Sequence, residues 1–365
     1  MNKILMKGNE AVAEAAIQAG LKFYAGYPIT PQNEIPEYLS KKLPEAGGVF
    51  IQAESEIAAI NMIYGASACG VRVMTSSSSP GISLKQEAIS YLAGAELPAV
   101  IVNMMRGGPG LGNISGSQAD YFQAVKGGGH GDYRLLVYAP FSVQEMWDYT
   151  ILAFEKADEW RNPVMILGDG VIAQMMEPVV QRFPELKTFD KSSWALTGAK
   201  GRPSRFIRTL FMGEGELEKH NWKLQEKYQQ WKEKEVRYET YFIEDAEVVI
   251  VAFGSAARIS ISAIKRLRRE GIKIGLLRPI TLFPFPEEPI RQLAQEIEKF
   301  IVVEFNAGQM VEDVRLAVNG MAEVYLYGRP GGSIVTAEDI YEAIVRDTAT
   351  EKQVGLGLCL RSKIK

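Results

Sequence analysis

From residue 98 to 105 the chain reads Pro-Ala-Val-Ile-Val-Asn-Met-Met, an almost unbroken apolar run with a helical pattern before it and Arg106-Gly107-Gly108-Pro109 after it. A strand that is apolar on both faces needs cover on both faces. Related strand patterns recur at 71–75, 163–167 and 247–253, each alternating with a helical segment. A mostly parallel sheet with helices on either side satisfies that requirement, so the fold class is α/β.

Strand and helix alternate from residue 8 to about 180, which predicts a doubly wound domain with ligands at the carboxyl ends of its strands. Helices are expected over 8–20, 33–42, 57–69, 82–93 and 143–160, and strands over 22–26, 48–52, 71–75, 98–105, 134–138 and 163–167. Residues 76–81, Ser-Ser-Ser-Ser-Pro-Gly, read as a loop. Glycine is so dense between Gly107 and Gly131 that an ordered functional loop is expected. Periodicity lapses after Pro184, and 215–238 then reads as a charged surface helix. A second doubly wound unit follows. The expected division is 1–183, a connector at 184–244, a second domain at 245–350 and a tail at 351–365.

Lys and Arg total 41 against 44 Asp and Glu, a net charge of −3 that gives no reason to expect nucleic acid. The first residues lack the apolar core of a secretion signal and no apolar run is long enough to span a membrane, which predicts a cytoplasmic protein with no membrane partner. Cys69 and Cys359 are the whole cysteine inventory, and His130 and His220 the whole histidine inventory. Such an inventory does not suit an iron–sulfur cluster or a structural zinc site on this chain alone, so a redox centre would belong to another chain. Cys69 is expected in the core, His220 in solvent, and His130 either lining a site or, as the favoured reading, bracing its loop.

No GxGxxG after a strand, no GxxxxGK[ST] and no supported GxSxG elbow is present. The stretch Tyr27-Pro28-Ile29-Thr30-Pro31 is a turn made rigid by two prolines around one hydroxyl, either an ordinary strand end or a holder for Thr30. Glu54 and Glu56 open a small-residue helix, where an acid serves either the helix dipole or a cleft. Arg106 ends the most apolar strand, placed either for a salt bridge or for a carboxylate ligand.

Taken together, Gly26-Tyr27-Pro28-Ile29-Thr30-Pro31, Ala53-Glu54-Ser55-Glu56, the serine run with Pro80-Gly81, Arg106-Gly107-Gly108-Pro109, the segment 277–284 and the segment 303–310 resemble, in order and spacing, the α subunits of 2-oxoacid:ferredoxin oxidoreductases. Residues 32–35, 107–121 and 126–133 look most like the branched-chain (2-oxoisovalerate) branch. The chain departs from the family's habit at Ser79, where many relatives carry glycine, and at Gly116, where close relatives carry proline. The resemblance implies a thiamine-enzyme pyrimidine-type domain followed by a transketolase C-terminal-like domain. It implies thiamine diphosphate shared with a β subunit, Mg2+ and [4Fe-4S] clusters on partner subunits, coenzyme A as cosubstrate and ferredoxin as acceptor. γ and ferredoxin-like δ subunits are possible further partners in a dimer of hetero-oligomers. By position, Glu56 would bond the cofactor's pyrimidine nitrogen, with Pro28 beside the cofactor. Thr30 and Arg106 would hold the oxoacid, with Tyr27 and Ile29 beside it. Pyruvate and 2-oxoglutarate are alternative substrates, an oxoacid dehydrogenase E1 β-like chain is an alternative identity, and a non-catalytic assembly subunit is a third reading.

Overall fold

The computed structural model describes residues 3–183, 185–333 and 335–353. The expected tail therefore lies, from residue 354, outside the described residues, and Cys359 with it. The first half runs β1 (Lys3–Lys7), α1 (Gly8–Gln18), β2 (Phe23–Gly26), α2 (Glu34–Glu45), β3 (Val49–Gln52), α3 (Glu56–Ala68), β4 (Val73–Ser77), α4 (Ser79–Gly94) and β5 (Ala99–Met105). After a π-helical turn at Gln123–Gly127 come β6 (Leu136–Tyr138), α5 (Val143–Trp160), β7 (Pro163–Asp169), α6 (Gly170–Gln174) and β8 (Met176–Val180). The second half runs α7 (Glu216–Lys234), β9 (Tyr238–Tyr241), β10 (Val248–Ala252), α8 (Gly254–Arg269), β11 (Ile274–Pro279) and β12 (Thr281–Phe283). It ends with α9 (Glu287–Leu293), β13 (Lys299–Glu304), α10 (Met310–Val318), β14 (Glu323–Gly328) and α11 (Ala337–Gln353).

Among the described residues the first sheet has the order β12-β6-β7-β5-β4-β2-β3, parallel throughout except for β12. The apolar runs that become β4, β5 and β7 are buried along their whole length, as cover on both faces demands. Helices α1, α2 and α5 pack one face through Val12, Leu39 and Trp147, and α3 and α4 pack the other through Ile63 and Ile89. Because α2 and α3 lie on opposite faces, the crossover changes side at β3, and the carboxyl ends of β2, β3 and β4 open beside one another, where ligands bind in folds of this class. The second sheet, β14-β13-β10-β11-β9, is parallel except for the edge strand β9. The expected two mostly parallel sheets are therefore present.

Several local expectations change. β12, from the second half, pairs antiparallel with β6 of the first sheet, and β1 pairs with β8 in a ribbon the periodicity did not signal. The serine run is no loop: β4 reaches Ser77 and α4 begins at Ser79. Helix α7 is not simply a surface helix, since Leu224, Tyr228 and Trp231 form a stripe at helical spacing that is buried in the same core as α1, α5 and the first sheet. Cys69 is exposed, because it caps α3 off the stripe of Ala59, Ile60, Ile63 and Ser67 that faces the sheet. His220 is half-buried and not simply solvated: its Nε2–H donates to the Gly94 carbonyl at 2.7 Å and its ring stacks on Phe211. Among the described residues no helix is long and apolar enough to cross a membrane.

Candidate active site

The carboxyl ends of β2, β3, β4 and β5 gather the residues the sequence singled out. Ser55 caps α3 by accepting the Ala58 N–H at 3.1 Å, which sets Glu56 on the first helical residue. Glu56 is 6% exposed and Glu54 is exposed, so the structure separates the two acids. No hydrogen bond or ion pair to the Glu56 carboxylate exists among the described residues. A buried acid without a partner is costly and therefore informative. Gly81, in the first turn of α4, lies directly against it: a Cβ there would sit 2.6 Å from Glu56 Oε1 and 2.1 Å from Ser77 Oγ. The Ser77 and Ser78 hydroxyls are buried without partners at the same junction.

In the turn, Tyr27 and Pro28 are exposed and Ile29 and Thr30 half-buried. The Thr30–Pro31 peptide is cis. The Pro31 carbonyl accepts Asn9 Nδ2 at 2.8 Å and Gln174 Nε2 at 3.1 Å, and Gln32 Nε2 donates to the Tyr27 carbonyl at 3.3 Å. Thr30 Oγ1 accepts Asn33 Nδ2 at 3.3 Å, and Pro28 borders a surface hollow that also meets Asn33, Phe50 and Gln52.

Arg106 is buried at the end of β5. Its Nη1 donates to the Thr30 carbonyl at 3.1 Å and its Nη2 to the Leu111 carbonyl at 3.0 Å, while Nε is buried without a partner. Among the described residues it makes no salt bridge. The guanidinium spans the proline turn and the glycine loop, so the structure joins Thr30 to Arg106 through main chain. Ser79, the departure from family habit, accepts the Arg106 N–H at 3.0 Å and donates to Asp120 at 2.6 Å. Burial pushes the Asp120 carboxyl up, against the bonds from Ser79 and Asn103.

The glycine-rich loop is ordered by the second half of the chain. Gln118 Nε2 donates to the Phe253 carbonyl at 2.8 Å, Asn306 Nδ2 to the Gln118 carbonyl at 2.8 Å, and Gln309 Nε2 to the Ala119 carbonyl at 2.7 Å. Tyr121 donates to Asp313 at 2.6 Å, and Lys126 pairs with the same carboxylate. Gly112 is required in the tip: its φ is +62° and a Cβ would lie 1.7 Å from the Gly107 carbonyl oxygen. His130 is exposed, with its carbonyl accepting Ser90 Oγ at 2.7 Å and its ring edge-on to Tyr91, a bracing role. Sequence reasoning gave no role to Gly81 or to Asp120. Nor did it single out Lys85, although 82, 85, 89 and 92 share helical spacing and put a lysine on an apolar stripe.

This geometry suits a thiamine pyrimidine: a carboxylate on a nearly buried residue, without a hydrogen-bond partner, opposite a glycine that leaves its approach clear. Among the described residues no group of three or more His, Cys, Asp or Glu could hold a metal ion. Residues 14–242 match the family described as pyruvate flavodoxin/ferredoxin oxidoreductase, thiamine diphosphate-binding, and 246–340 match pyruvate:ferredoxin oxidoreductase core domain II. A ketoisovalerate oxidoreductase subunit VorB from Methanothermobacter marburgensis is 55% identical, covering 95% of this chain and 98% of its own. A 2-oxoglutarate synthase subunit KorA from Methanothermobacter thermautotrophicus is 38% identical, covering 93% and 98%. A solved 2-oxoglutarate:ferredoxin oxidoreductase from Magnetococcus marinus, with 2-oxoglutarate, coenzyme A and succinyl-CoA bound, superposes with a TM-score of 0.83 at 28% identity, covering 94% of this chain and 65% of that one.

Proposed function

Because the chain belongs to the 2-oxoacid:ferredoxin oxidoreductase family, we propose that it is the α-type subunit of a branched-chain member, converting 2-oxoisovalerate and coenzyme A to acyl-CoA and carbon dioxide with reduction of ferredoxin. The observation that carries the catalytic reading is Glu56, only 6% exposed, whose carboxylate lies against Gly81 without a hydrogen-bond partner. Identity of 55% to the ketoisovalerate relative against 38% to the 2-oxoglutarate relative favours the branched substrate over the alternatives.

Thiamine diphosphate, when bound, supplies the nucleophile that adds to the 2-oxo carbon and the electron sink for loss of carbon dioxide. Glu56 would hold the cofactor's pyrimidine nitrogen by a charge-assisted hydrogen bond, which strengthens where water is excluded. Pro28 would stand beside the cofactor. Thr30 and the remaining N–H groups of Arg106 orient the oxoacid, with Tyr27 and Ile29 at its side; positioning of this kind can supply several kcal/mol. A β subunit carries the diphosphate site, Mg2+ and a [4Fe-4S] cluster, and γ and ferredoxin-like δ subunits complete a dimer of hetero-oligomers.

The experiment is coenzyme A-dependent ferredoxin reduction by the copurified complex with 2-oxoisovalerate, pyruvate and 2-oxoglutarate, for wild type and Glu56→Ala. The expected results are preference for 2-oxoisovalerate and a fall of at least about 10²-fold in the variant. Near-normal turnover by Glu56→Ala removes the catalytic assignment. Acylation of lipoamide in place of ferredoxin reduction supports the E1 β-like alternative.

A further inference from the structure

The interior of the first domain holds a lysine that neither the fold nor the proposed reaction uses. Lys85 lies in α4 and is completely buried. Its Nζ donates to Thr75 Oγ1 at 2.5 Å and to the Ser76 carbonyl at 3.1 Å, both at the carboxyl end of β4. Those acceptors are neutral, and an ammonium has a third N–H. Burying an ammonium against neutral acceptors opposes folding, so packing alone gives no reason for a lysine here.

The surroundings give a reason. Gly81 is four residues earlier on the same face of α4, and it abuts Glu56 Oε1 and Ser77 Oγ. The peptide gripped by Lys85 is the one that leads into Ser77, whose hydroxyl is buried without a partner. Only the end of β4 therefore separates the ammonium from the catalytic carboxylate. The same strand end continues into the substrate turn: Ser76 Oγ donates to Gln32 Oε1 at 2.5 Å, and Gln32 Nε2 reaches the Tyr27 carbonyl.

We propose that Lys85 is a positioning residue for Glu56, fixing the end of β4 behind that carboxylate and setting a positive charge there. The proposal rests on the catalytic reading of Glu56. Thr75 and Ser76 from β4 bond Lys85, Tyr24 from β2 stands behind them through its 2.7 Å bond to Ser76 Oγ, and Glu56 from α3 acts on the ammonium through space. Burial holds the Tyr24 hydroxyl well above its ordinary range, so it stays neutral. Burial pushes the Lys85 ammonium down to about 7, and the attraction of Glu56 opposes that fall. Burial therefore brings the charge change of Lys85 down from the ordinary lysine range toward neutrality.

The test measures kcat/KM against pH for the reconstituted complex with wild type, Lys85→Met, Lys85→Gln and Glu56→Gln, together with thermal midpoints. Both variants remove a positive charge from behind the acid that the reaction uses, so the acid limb of the profile should move to higher pH by about 1 to 3 units in each. Lys85→Gln retains donors for Thr75 and Ser76, so it isolates the charge if Lys85→Met fails to assemble. The thermal midpoint should hold or rise. An unshifted acid limb in an assembled lysine variant, with Glu56→Gln inactive, overturns the role of Lys85 and leaves that of Glu56 standing. A fully active Glu56→Gln overturns the catalytic reading itself.

Discussion

Gly81→Ala separates catalytic geometry from stability. The added Cβ would lie 2.1 Å from Ser77 Oγ, 2.6 Å from Glu56 Oε1 and 3.1 Å from Glu56 Cγ. Ordinary carbon contacts begin near 3.5 Å. Ser77 can rotate away, because its hydroxyl has no partner to lose. Glu56 must move by roughly 1 Å, and a misplacement of that size costs about 10²-fold in rate, or about 2.7 kcal/mol of barrier. Alanine in place of glycine in a helix gains about 0.5–1 kcal/mol, which offsets part of the contact penalty, so the thermal midpoint should change little. Ferredoxin reduction and thermal melting on the same preparation measure both effects. Gly65→Ala in α3 is the control, since a Cβ there meets nothing within 4 Å, and it should keep full activity. Wild-type turnover by folded Gly81→Ala would refute the claim that this glycine defines the approach to Glu56.

Three further outcomes follow from the geometry. Arg106→Lys can hold one of the Thr30 and Leu111 carbonyls but not both, so KM for the oxoacid should rise about 10- to 100-fold in steady-state assays, the equivalent of one charged hydrogen bond. Arg278 is fully buried, bonded twice to Glu145 and once to Glu239, with Phe141 beneath its guanidinium. Arg278→Met leaves Glu145 uncompensated and should cost about 3–5 kcal/mol in urea unfolding. Burial alone would push the Glu96 carboxyl up, but Lys227, Lys223 and Arg161 together hold it below its ordinary range. The stability this supplies is present above the ordinary carboxylate range and is lost as pH falls through the lowered value, so Glu96→Gln should flatten the acid limb of the thermal midpoint against pH.

What could be read in advance was whatever is local. The apolar run at 98–105 and the prolines around Thr30 announced a buried strand and a rigid turn, and both are present. Long-range pairing was not legible: Thr281–Phe283 is too short to signal a strand, and its partner β6 lies over 140 residues away in the chain. Asn306 and Gln309 were visible as a motif, but their task, fastening the glycine loop, depends on atoms from opposite halves. The buried stripe of α7 was present in the spacing of Leu224, Tyr228 and Trp231, yet the surrounding charge masked it. Lys85 stood in plain view on an apolar stripe, and it gains meaning only from what the end of β4 places around it.

The late arrival of β12 bears on how the chain is made. During synthesis the first sheet can form as soon as its parallel strands emerge, yet the outer side of β6 stays open until residues 281–283 follow. An open strand edge invites pairing with another chain. Nascent chains stalled between β8 and β12 should therefore be the species most prone to aggregate and most in need of a chaperone. For the same reason, a chain cut short at the connector would leave that edge bare for good.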